Sequence, residues 1–446
     1  MTPHDWLGSA AVRNPTAFAV GDGLNDLTFA ELDRRVSEVA SRLLGQGIEP
    51  GSSALLELGE GLTKVVQIHA LIRLGVAVVP IDPDLPDEER VKFLGAFSPD
   101  SQLGPADGLS GPAGPELKPA SVDGTEVLCR IFTGGSTGLP EAIPLTRDNH
   151  FMSAVGSALN LGLVPGDRWL CPVTLSHVSG FSILVRSVIY GTGFLLVDEF
   201  STESVFEAIA SRGATAASLV PTMLARLLAE GPVPPGLRLA LVGGGPVPAD
   251  LILEAAELGV PAVPTYGLTE ACSQVATSTP ASAVAHPESA GLPLPVTDVR
   301  IENGEIEVRG PTVSADAVAE DGWLRTGDLG RLDHEGRLYV EGRKDRLILS
   351  GGEKVQPVEV EAALTAMPVV YEAAVIGVPD PEWQQAVVAV VVPAPGSTPD
   401  EEELRAACRA ALSGFKVPKR IVLAERIPLN RAGKPDPQAL AALLGE

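Results

Sequence analysis

The chain has 446 residues, 45% hydrophobic and 20% charged, which is enough for two or three domains with a large core. Asp and Glu total 57 against 33 Lys and Arg, a formal net charge of −24. Proteins that bind nucleic acids or anionic membranes need a basic surface, so this charge argues against both classes. No run of about 18 uncharged apolar residues is present, so no integral membrane segment is predicted.

The cysteines and the N-terminus indicate a cytoplasmic protein. Four cysteines are scattered without the spacing of metal ligands, and we interpret them as reduced, mostly buried thiols. The first fifteen residues contain no apolar segment of the kind found in secretory signals. A homo-oligomer is compatible with the sequence.

The first hundred residues alternate predicted helices and strands. Helical spacing of apolar residues predicts helices at residues 27–45 and 65–74, and apolar runs predict strands at 54–58 and 76–81. Such alternation is typical of parallel sheets. Residues 98–121 are rich in Gly, Pro, Ser and Asp and are predicted to form a loop.

An apolar strand at residues 127–132 leads into the sequence TGGSTG at 133–138. The N–H groups and hydroxyls of such a loop can converge on a polyphosphate anion. The pattern is not the GxxxxGK[ST] loop, because no lysine follows the last glycine. The alternative interpretation is an ordinary turn.

A strand before Ser176 and His177 is followed by an apolar helix that contains a single base, Arg186. Burying an arginine is costly unless it is paired, so Arg186 either binds a ligand or extends to water. A lone histidine at a strand end is usually structural.

Further strands are predicted at residues 215–221, 237–242 and 262–266, with a short helix at 223–229. Polar or glycine turns follow three of the predicted strands, at Thr133, Gly243 and Gly267. Ligands of open α/β sheets bind outside the carboxyl ends of the strands. Three such turns together predict a ligand site more specifically than any one of them.

Residues 322–354 combine strands at 331–333 and 338–341 with Asp328, a charge cluster at 343–346 and a glycine turn. An acid can accept hydrogen bonds from ribose hydroxyls and bases can bind phosphate, so the segment suits a nucleotide. The alternative is a solvated surface hairpin. Short strands at 298–301 and 305–309 predict a small β-rich subdomain before it.

The last hundred residues are predicted to form a separate module. Its helices are expected at residues 357–367 and 401–412, and its strands at 371–378 and 386–392. A later loop carries Lys434 between a glycine and a proline, where the residues alone indicate a surface lysine.

Five motifs, in this order, resemble those of the acyl-adenylate-forming superfamily of acyl-CoA synthetases, peptide-synthetase adenylation domains and luciferases. FTGGSTGLPEAIPLT resembles its phosphate loop, YGLTE its acidic motif, GWLRTGDLG and GRKDRLILSGGE its ribose and hinge motifs, and NRAGKPD its C-terminal lysine motif. The resemblance implies an α/β fold with a large N-terminal domain at residues 1–343, made of mainly parallel sheets with helices and a small β-rich subdomain. A smaller, mobile α+β C-terminal domain would cover residues 346–446.

The resemblance also implies a reaction in two steps. A carboxylate attacks the α-phosphate of ATP to give acyl-AMP and pyrophosphate, and a thiol, usually that of CoA, then takes the acyl group. Mg²⁺ is the implied metal, and a small carboxylic acid, ATP and CoA are the implied partners.

The implied residue roles follow the motifs. The implied phosphate-binding residues are Thr133, Ser136, Thr137 and Gly138, with Thr269 at the α-phosphate. The implied adenine and ribose residues are Gly243, Gly244, Gly245, Tyr266, Gly267, Asp328 and Arg343. The implied remaining roles are Glu270 for Mg²⁺, Lys434 as the catalytic lysine that bridges carboxylate and nucleotide, Asp345 as the hinge, and Gly351, Gly352 and Lys354 for CoA.

The phosphate loop departs from the superfamily pattern S-G-[ST]-T-G-x-P-K-G. Gly134 replaces the serine, Glu141 the lysine and Ala142 the last glycine. An acid in place of a base should weaken ATP binding unless its side chain points away. A degenerate, non-catalytic homologue is therefore one alternative.

Within the superfamily, the chain most resembles the o-succinylbenzoate–CoA ligases of menaquinone biosynthesis. The likeness rests on its short length, on LSHVSG before the helix with Arg186, on SLVPT, and on SGGEKVQPVEVE. One carboxylate of that substrate is activated, so the other needs a cation or hydroxyls, which Arg186 and Ser176 are expected to supply beside His177. The alternatives are another aryl- or medium-chain acyl-CoA ligase and an adenylation module that loads a separate carrier protein.

Overall fold

The structure, a computed structural model, describes residues 5–117, 123–134, 140–429 and 435–444. Its helices are α1 (Trp6–Arg13), α2 (Phe29–Gly45), α3 (Leu62–Leu74), α4 (Asp87–Ala96), α5 (Arg147–Leu161), α6 (Val178–Tyr190), α7 (Thr202–Ala210), α8 (Pro221–Glu230), α9 (Ala249–Glu257), α10 (Pro280–Ala285), α11 (Pro357–Thr365), α12 (Glu401–Ala411) and α13 (Pro437–Leu443). None of the helices in these ranges is long and apolar enough to cross a membrane.

The strands cover the same ranges. They are β1 (Phe18–Gly21), β2 (Asp26–Thr28), β3 (Ser53–Glu57), β4 (Ala77–Ile81), β5 (Ser101–Leu103), β6 (Val127–Gly134), β7 (Pro140–Thr146), β8 (Arg168–Cys171), β9 (Gly193–Leu196), β10 (Ala216–Leu219), β11 (Leu239–Val242), β12 (Ala262–Leu268), β13 (Ser273–Thr277), β14 (Leu292–Pro293), β15 (Asp298–Glu302), β16 (Glu305–Arg309), β17 (Leu324–Leu332), β18 (Leu338–Arg343), β19 (Ile348–Ser350), β20 (Glu353–Val355), β21 (Val370–Asp380), β22 (Gln384–Pro393) and β23 (Arg420–Leu423).

Residue contacts divide the chain into two compact units. The first comprises Met1–Arg300, Glu307–Arg325 and Leu332–Leu338. The second comprises Ile301–Ile306, Thr326–Arg331 and Tyr339–Glu446. The domain boundary predicted between residues 343 and 346 stays a prediction.

Two large sheets form the frame of the first unit. One has the order β14-β13-β12-β11-β10-β8-β9-β1-β2, and the other has the order β5-β3-β4-β6-β7. Neighbouring strands are parallel except at the sheet edges, where β12–β13, β13–β14, β1–β2 and β6–β7 are antiparallel. Every residue of β4 and β11 is buried, as expected of parallel strands that are covered on both faces. The predicted α/β class with mainly parallel sheets is confirmed.

Helix α2 illustrates how the local sequence starts an element. Thr28 Oγ1 accepts a hydrogen bond from Glu31 N (3.3 Å), and Glu31 Oε2 accepts one from Thr28 N (2.8 Å), which together form a capping box. Its buried side chains repeat at helical spacing: Phe29, Leu32, Val36, Val39, Ala40 and Leu43. The helix therefore begins at Phe29 rather than at the predicted residue 27, which belongs to β2.

The later strands form smaller sheets. Strands β15 to β18 pair in the order β15-β16-β17-β18, which is the predicted β-rich region. In the C-terminal part of the second unit, the order is β20-β19-β22-β21, with β23 paired to β22. Apolar clusters bury both faces of this sheet: one contains Val360 and Leu404, and the other contains Ile427 and Leu440.

Three further sequence-based predictions of secondary structure differ from the structure. The predicted loop at residues 98–121 contains the three-residue strand β5, which pairs with β3. The strand predicted at 331–333 begins earlier than predicted, because β17 starts at Leu324 and includes Asp328. The strand predicted at 215–221 ends at Leu219, because Pro221 is the first residue of α8, where its missing N–H is tolerated.

Candidate active site

The strand before TGGSTG pairs with the strand after it. Strands β6 and β7 are antiparallel, and Thr133 lies directly opposite Glu141, whose side chain is exposed. Opposite residues of an antiparallel pair present their side chains on the same face. An acid therefore lies beside the first residue of the predicted phosphate loop. The predicted site residues outside the described ranges are Ser136, Thr137, Gly138 and Lys434.

The turn after β11 needs glycine for steric reasons. A Cβ on Gly243 would lie 2.6 Å from Thr265 Cγ2 and 2.9 Å from Thr265 O, on the neighbouring parallel strand β12. Gly244 has a φ of +83°, which side chains rarely adopt, and a Cβ on Gly245 would meet no atom within 4 Å. Bare backbone is therefore exposed at this strand end, which is compatible with the adenine site predicted there.

Strand β12 extends beyond its predicted end. It continues through Tyr266 and Gly267 to Leu268, so the prediction of a turn at Gly267 is wrong. A Cβ on Gly267 would overlap Ser273 O of β13, which explains the glycine by a close approach of two strands. The predicted nucleotide contacts of Tyr266 and Gly267 stay predictions.

A 3₁₀ turn at Thr269–Ala271 follows β12 and carries the predicted metal ligand. Glu270 is half-buried, and its backbone oxygen accepts a hydrogen bond from Ser314 N (2.7 Å). Mg²⁺ commonly takes one protein carboxylate together with substrate oxygens. The carboxylate of Glu270, on a turn whose backbone is fixed, is a suitable donor for this ion.

Arg186 is buried in α6, and only 5% of it is exposed, so the alternative that it extends to water is wrong. Its Nη1 donates to Ser157 Oγ (3.2 Å) and to Gln274 Oε1 (3.0 Å). Its guanidinium carbon lies 4.3 Å from the centre of the Trp169 ring. Its Nε is buried without a hydrogen-bond partner in the described part of the chain.

No described carboxylate neutralises this guanidinium. The ionisable groups that act on it are Tyr190, Cys171 and Cys272. Burial raises the pKa of Cys171 to about 12 and also raises the pKa of Tyr190 and of Cys272, so all three are uncharged at neutral pH. Burial lowers the pKa of Arg186 because it disfavours the charged form. An uncompensated buried cation is costly, and an anionic ligand would compensate it.

Ser176 contacts an acid that the sequence-based prediction did not include. Its Oγ donates to Asp82 Oδ2 (2.6 Å), and Thr174 Oγ1 donates to Asp82 Oδ1 (2.6 Å). His177 is half-buried and is the N-cap residue of α6. Asp82 would repel an anionic group near Ser176, so Arg186 is the better candidate for binding a carboxylate. The substrate roles of Ser176 and His177 stay predictions.

In the second unit, one guanidinium joins the predicted ribose acid and the predicted hinge acid. Arg343 Nε and Nη2 donate to Asp345 Oδ1 (3.0 Å) and Oδ2 (2.9 Å), and Nη1 lies 3.3 Å from Asp328 Oδ1. Hydrogen bonds from Arg343 lower the pKa of Asp345, and the same contacts raise the pKa of Arg343. The structure places Arg343 beside Asp328, and the predicted ribose roles of both residues stay predictions.

Gly351 and Gly352 form the two-residue turn between β19 and β20. Their φ values of +62° and +83° match a tight hairpin turn that needs positive φ at both positions. Gly351 N donates to Trp383 O (2.8 Å), and a Cβ on Gly351 would lie 2.9 Å from the Trp383 ring. Lys354 is exposed on β20. The predicted approach of CoA along this turn stays a prediction.

The chain matches the models of two known protein families. Residues 7–103 and 96–315 match the AMP-binding enzyme family, and residues 359–434 match the AMP-binding enzyme C-terminal domain. The chain belongs to the AMP-binding enzyme family. The predicted membership among adenylate-forming enzymes is therefore confirmed.

Individual relatives are similar over nearly their whole length. The 2-succinylbenzoate–CoA ligase of Bacillus licheniformis is 38% identical, with 97% of this chain and 98% of that protein covered. The 2-succinylbenzoate–CoA ligase of Geobacillus kaustophilus is 39% identical, with 97% and 96% covered. The subfamily resemblance and the predicted AMP-forming ligase activity agree with these similarities.

Solved structures of one further AMP-binding enzyme share the fold. The o-succinylbenzoate CoA synthetase (MenE) from Bacillus subtilis, in complex with the acyl-adenylate intermediate OSB-AMP, has a TM-score of 0.92 and 34% identity, with 98% of this chain and 97% of that chain covered. The same enzyme in complex with ATP and magnesium ion has a TM-score of 0.90 and 34% identity, with 96% and 98% covered.

The sequence-based prediction missed several residues of the site. Asp82 was not predicted as a site residue, although an acid just after a buried parallel strand was a usable signal. Trp169 Nε1 donates to Ser218 Oγ (2.9 Å), which gives the serine of SLVPT a role in holding the ring beneath Arg186. Gln274 carried no signal, because a single glutamine in a short strand is unremarkable in a sequence.

Proposed function

We propose that this chain is an ATP-dependent, AMP-forming ligase whose acid is o-succinylbenzoate and whose thiol is CoA. The choice of acid rests on one observation: Arg186 is a buried cation, and its partners among the described residues are all neutral. A dicarboxylic acid activated at one end still carries a negative charge at the other, and Arg186 would bind that charge. The similarity to 2-succinylbenzoate–CoA ligases supports the same acid.

The reaction has two balanced steps. In the first, a carboxylate oxygen attacks the α-phosphorus of ATP, a new P–O bond forms, and pyrophosphate leaves. In the second, the CoA sulfur attacks the acyl carbon, the bond to the AMP oxygen breaks, and the thiol proton passes to solvent. Both steps bring anionic groups together, so the protein must supply hydrogen-bond donors and cations.

The residues divide this work between binding and positioning. Thr133, with the hydroxyls and N–H groups of residues 136–138, would bind the β- and γ-phosphates, and Thr269 would contact the α-phosphate. Glu270 would hold Mg²⁺, which neutralises phosphate charge when it is bound. Lys434 would bridge the attacking carboxylate and the nucleotide.

The second unit would bind the sugar and the thiol substrate. Asp328 would accept hydrogen bonds from the ribose hydroxyls, with Arg343 beside those hydroxyls. Asp345 would be the hinge residue, and the turn at Gly351 and Gly352, with Lys354, would lie along the path of the CoA pantetheine. We place the reaction in the cytoplasm, where four reduced cysteines are expected, and all four are free and buried in the structure.

Pyrophosphate release over a panel of carboxylic acids tests the proposal directly. We expect o-succinylbenzoate to be the best acid and the final product to require free CoA. Strong activity with only monocarboxylic aryl or medium-chain acids would contradict the assignment of the acid. Activity that requires a carrier protein instead of CoA would favour a loading module, and failure to bind ATP in calorimetry would indicate a non-catalytic homologue.

A further inference from the structure

Hydrogen bonds join Arg186 through Gln274 and Thr277 to Thr265, a half-buried residue of β12 beside Gly243. Gln274 Oε1 accepts from Arg186 Nη1 (3.0 Å), and Gln274 Nε2 donates to Thr277 Oγ1 (3.0 Å). The hydroxyls of Thr277 and Thr265 lie 2.8 Å apart. Gln274 is 2% exposed, so both ends of its amide are fixed inside the protein.

The backbone before Gln274 adopts an unusual conformation. Cys272 and Ser273 have φ values of +52° and +91°, although neither is glycine. Ser153 Oγ donates to Cys272 O (2.7 Å) and holds this segment in place. Side chains rarely adopt positive φ, and such residues persist where the surrounding structure fixes a functional position. Here the fixed position is that of the amide of Gln274 against Arg186.

We propose that Gln274 is a positioning residue that sets the substrate class, because its amide orients Arg186 without neutralising it. The proposal rests on the proposed function, in which Arg186 binds the second carboxylate of a dicarboxylic acid. The amide oxygen accepts a hydrogen bond from Nη1 of Arg186 but carries no charge. The positive charge of Arg186 therefore remains available to the ligand. Ser157 and the Trp169 ring contribute in the same way, since both are neutral.

Replacing the amide by a carboxylate changes charge at nearly constant shape. In Gln274→Glu, the new carboxylate can accept the same bond from Arg186, and the hydroxyl of Thr277 can turn to donate to it. Arg186 then has a buried counter-ion, and a second carboxylate from the substrate would be repelled. The side-chain identity at position 274 would thereby decide between a dicarboxylic and a monocarboxylic acid.

The test compares two acids with purified enzyme. In Gln274→Glu, the KM for o-succinylbenzoate should rise by about tenfold or more, because like charges at close range strongly oppose binding. The KM for a matched analogue without the distal carboxylate should fall or stay within about twofold, and the KM for ATP should not change. Gln274→Met, which has similar volume and no charge, should affect o-succinylbenzoate less than Gln274→Glu does.

A second measurement separates this inference from the proposed function. The melting temperature of the ligand-free enzyme should be higher for Gln274→Glu than for Gln274→Met, because only the carboxylate compensates the buried cation. If wild-type enzyme ignores every dicarboxylic acid, the proposed function fails. If wild-type enzyme uses o-succinylbenzoate but Gln274→Glu affects both acids equally, or melts below Gln274→Met, the role of Gln274 is contradicted.

Discussion

At the residue scale, the central feature is a guanidinium that the fold buries next to an amide, a hydroxyl and an aromatic ring. A folded protein keeps such a group only if the rest of the core offsets its desolvation. Active sites are where such costs are found, because an unneutralised charge is what a charged substrate needs. Arg186 is therefore the residue on which the proposed choice of acid depends.

Arg186→Ala should raise the KM for o-succinylbenzoate strongly, with a loss of about 2–5 kcal/mol, because the distal carboxylate is then buried and unpaired. The KM for ATP should move little, and an analogue without the distal carboxylate should lose little. Steady-state kinetics with both acids measures the difference, so general damage to the protein cancels. Arg186→Met, which keeps part of the packing on Trp169, is the matched control, and equal damage to both acids would make Arg186 structural.

Glu141→Lys should lower the apparent KM for ATP by a factor of about 1.4 to 5, because an exposed charge pair contributes about 0.2–1 kcal/mol. The physical reason is the position of Glu141 directly opposite Thr133, on the face where phosphates are predicted to bind. Glu141→Gln should give a smaller decrease, since it removes repulsion without adding attraction. An unchanged ATP KM in both variants would mean that the side chain points away from the nucleotide.

At the element scale, helix α6 carries Arg186, and its first turn packs closely against the preceding loop. The gap between them leaves no space for a side chain at Gly180. A Cβ on Gly180 would overlap Thr174 O, and Thr174 also donates to Asp82. The first turn of α6 therefore lies against the loop whose Thr174 is hydrogen-bonded to Asp82. A small shift of this turn would move both Arg186 and the hydroxyl that contacts Asp82.

Gly180→Ala should destabilise the protein by about 1–3 kcal/mol, because overpacking forces the helix or the loop to shift. It should also raise the KM for the acid more than that for ATP. Urea unfolding and steady-state kinetics measure these two effects. Ser179→Ala, on the same turn but exposed, should change neither, and a Gly180→Ala protein as stable as wild type would show that the loop yields freely.

The sequence predicted most elements because their apolar periodicity was clear, as in α2 and the fully buried β4. It failed in β17, where the buried positions of the strand are Leu324, Thr326, Asp328 and Gly330. Polar and glycine residues replace the apolar members of the alternation, so the pattern did not indicate a strand. Asp328, which has a predicted site role, takes one of the buried positions that apolar residues usually fill, so the strand is not visible in the sequence.

The site was predictable only where residues are close in sequence. Motifs indicated the glycine turns and named Asp328 and Arg343 as candidate nucleotide residues, but they did not predict the contact between these two side chains. The contact between Arg186 and Gln274 joins residues 88 positions apart and depends on how α6 packs near β13. The positive φ of Cys272 was equally hidden, because no glycine marks it.

At the scale of the whole molecule, the predicted catalytic lysine lies in the C-terminal part of the chain. Lys434→Ala should slow adenylation about a hundredfold or more, because a cation at the developing charge is lost. It should largely spare thioester formation from supplied acyl-AMP. The two half-reactions can be assayed separately, and equal loss in both would point to misfolding rather than to a role in the first step.

The first unit should lose stability in mild acid because of two buried histidines. Burial lowers the pKa of His69 and of His150 to about 3 each. Between pH 6.5 and 3 the unfolded chain binds protons that the folded chain does not, so stability is complete above pH 6.5 and falls below it. At pH 5 the loss is about 2 kcal/mol per histidine.

Urea unfolding at pH 7.5 and at pH 5 measures this loss. The double variant His69→Gln, His150→Gln should show a much smaller difference between the two pH values than the wild type. His334→Gln should behave like the wild type, because the side chain of His334 is 87% exposed. An unchanged pH dependence in the double variant would assign the acid sensitivity to other groups.

The sharing of Arg343 between two acids has a consequence for the tolerance of this segment to mutation. Asp328 and Asp345 each affect how the same guanidinium is oriented, so replacing one changes the surroundings of the other. The effects of single substitutions at these three positions should not add, and a change at one should be better tolerated together with a change at another. In an evolving lineage, Asp328, Arg343 and Asp345 would therefore be inherited as a set, so that the predicted sugar contact and the predicted hinge would change together or not at all.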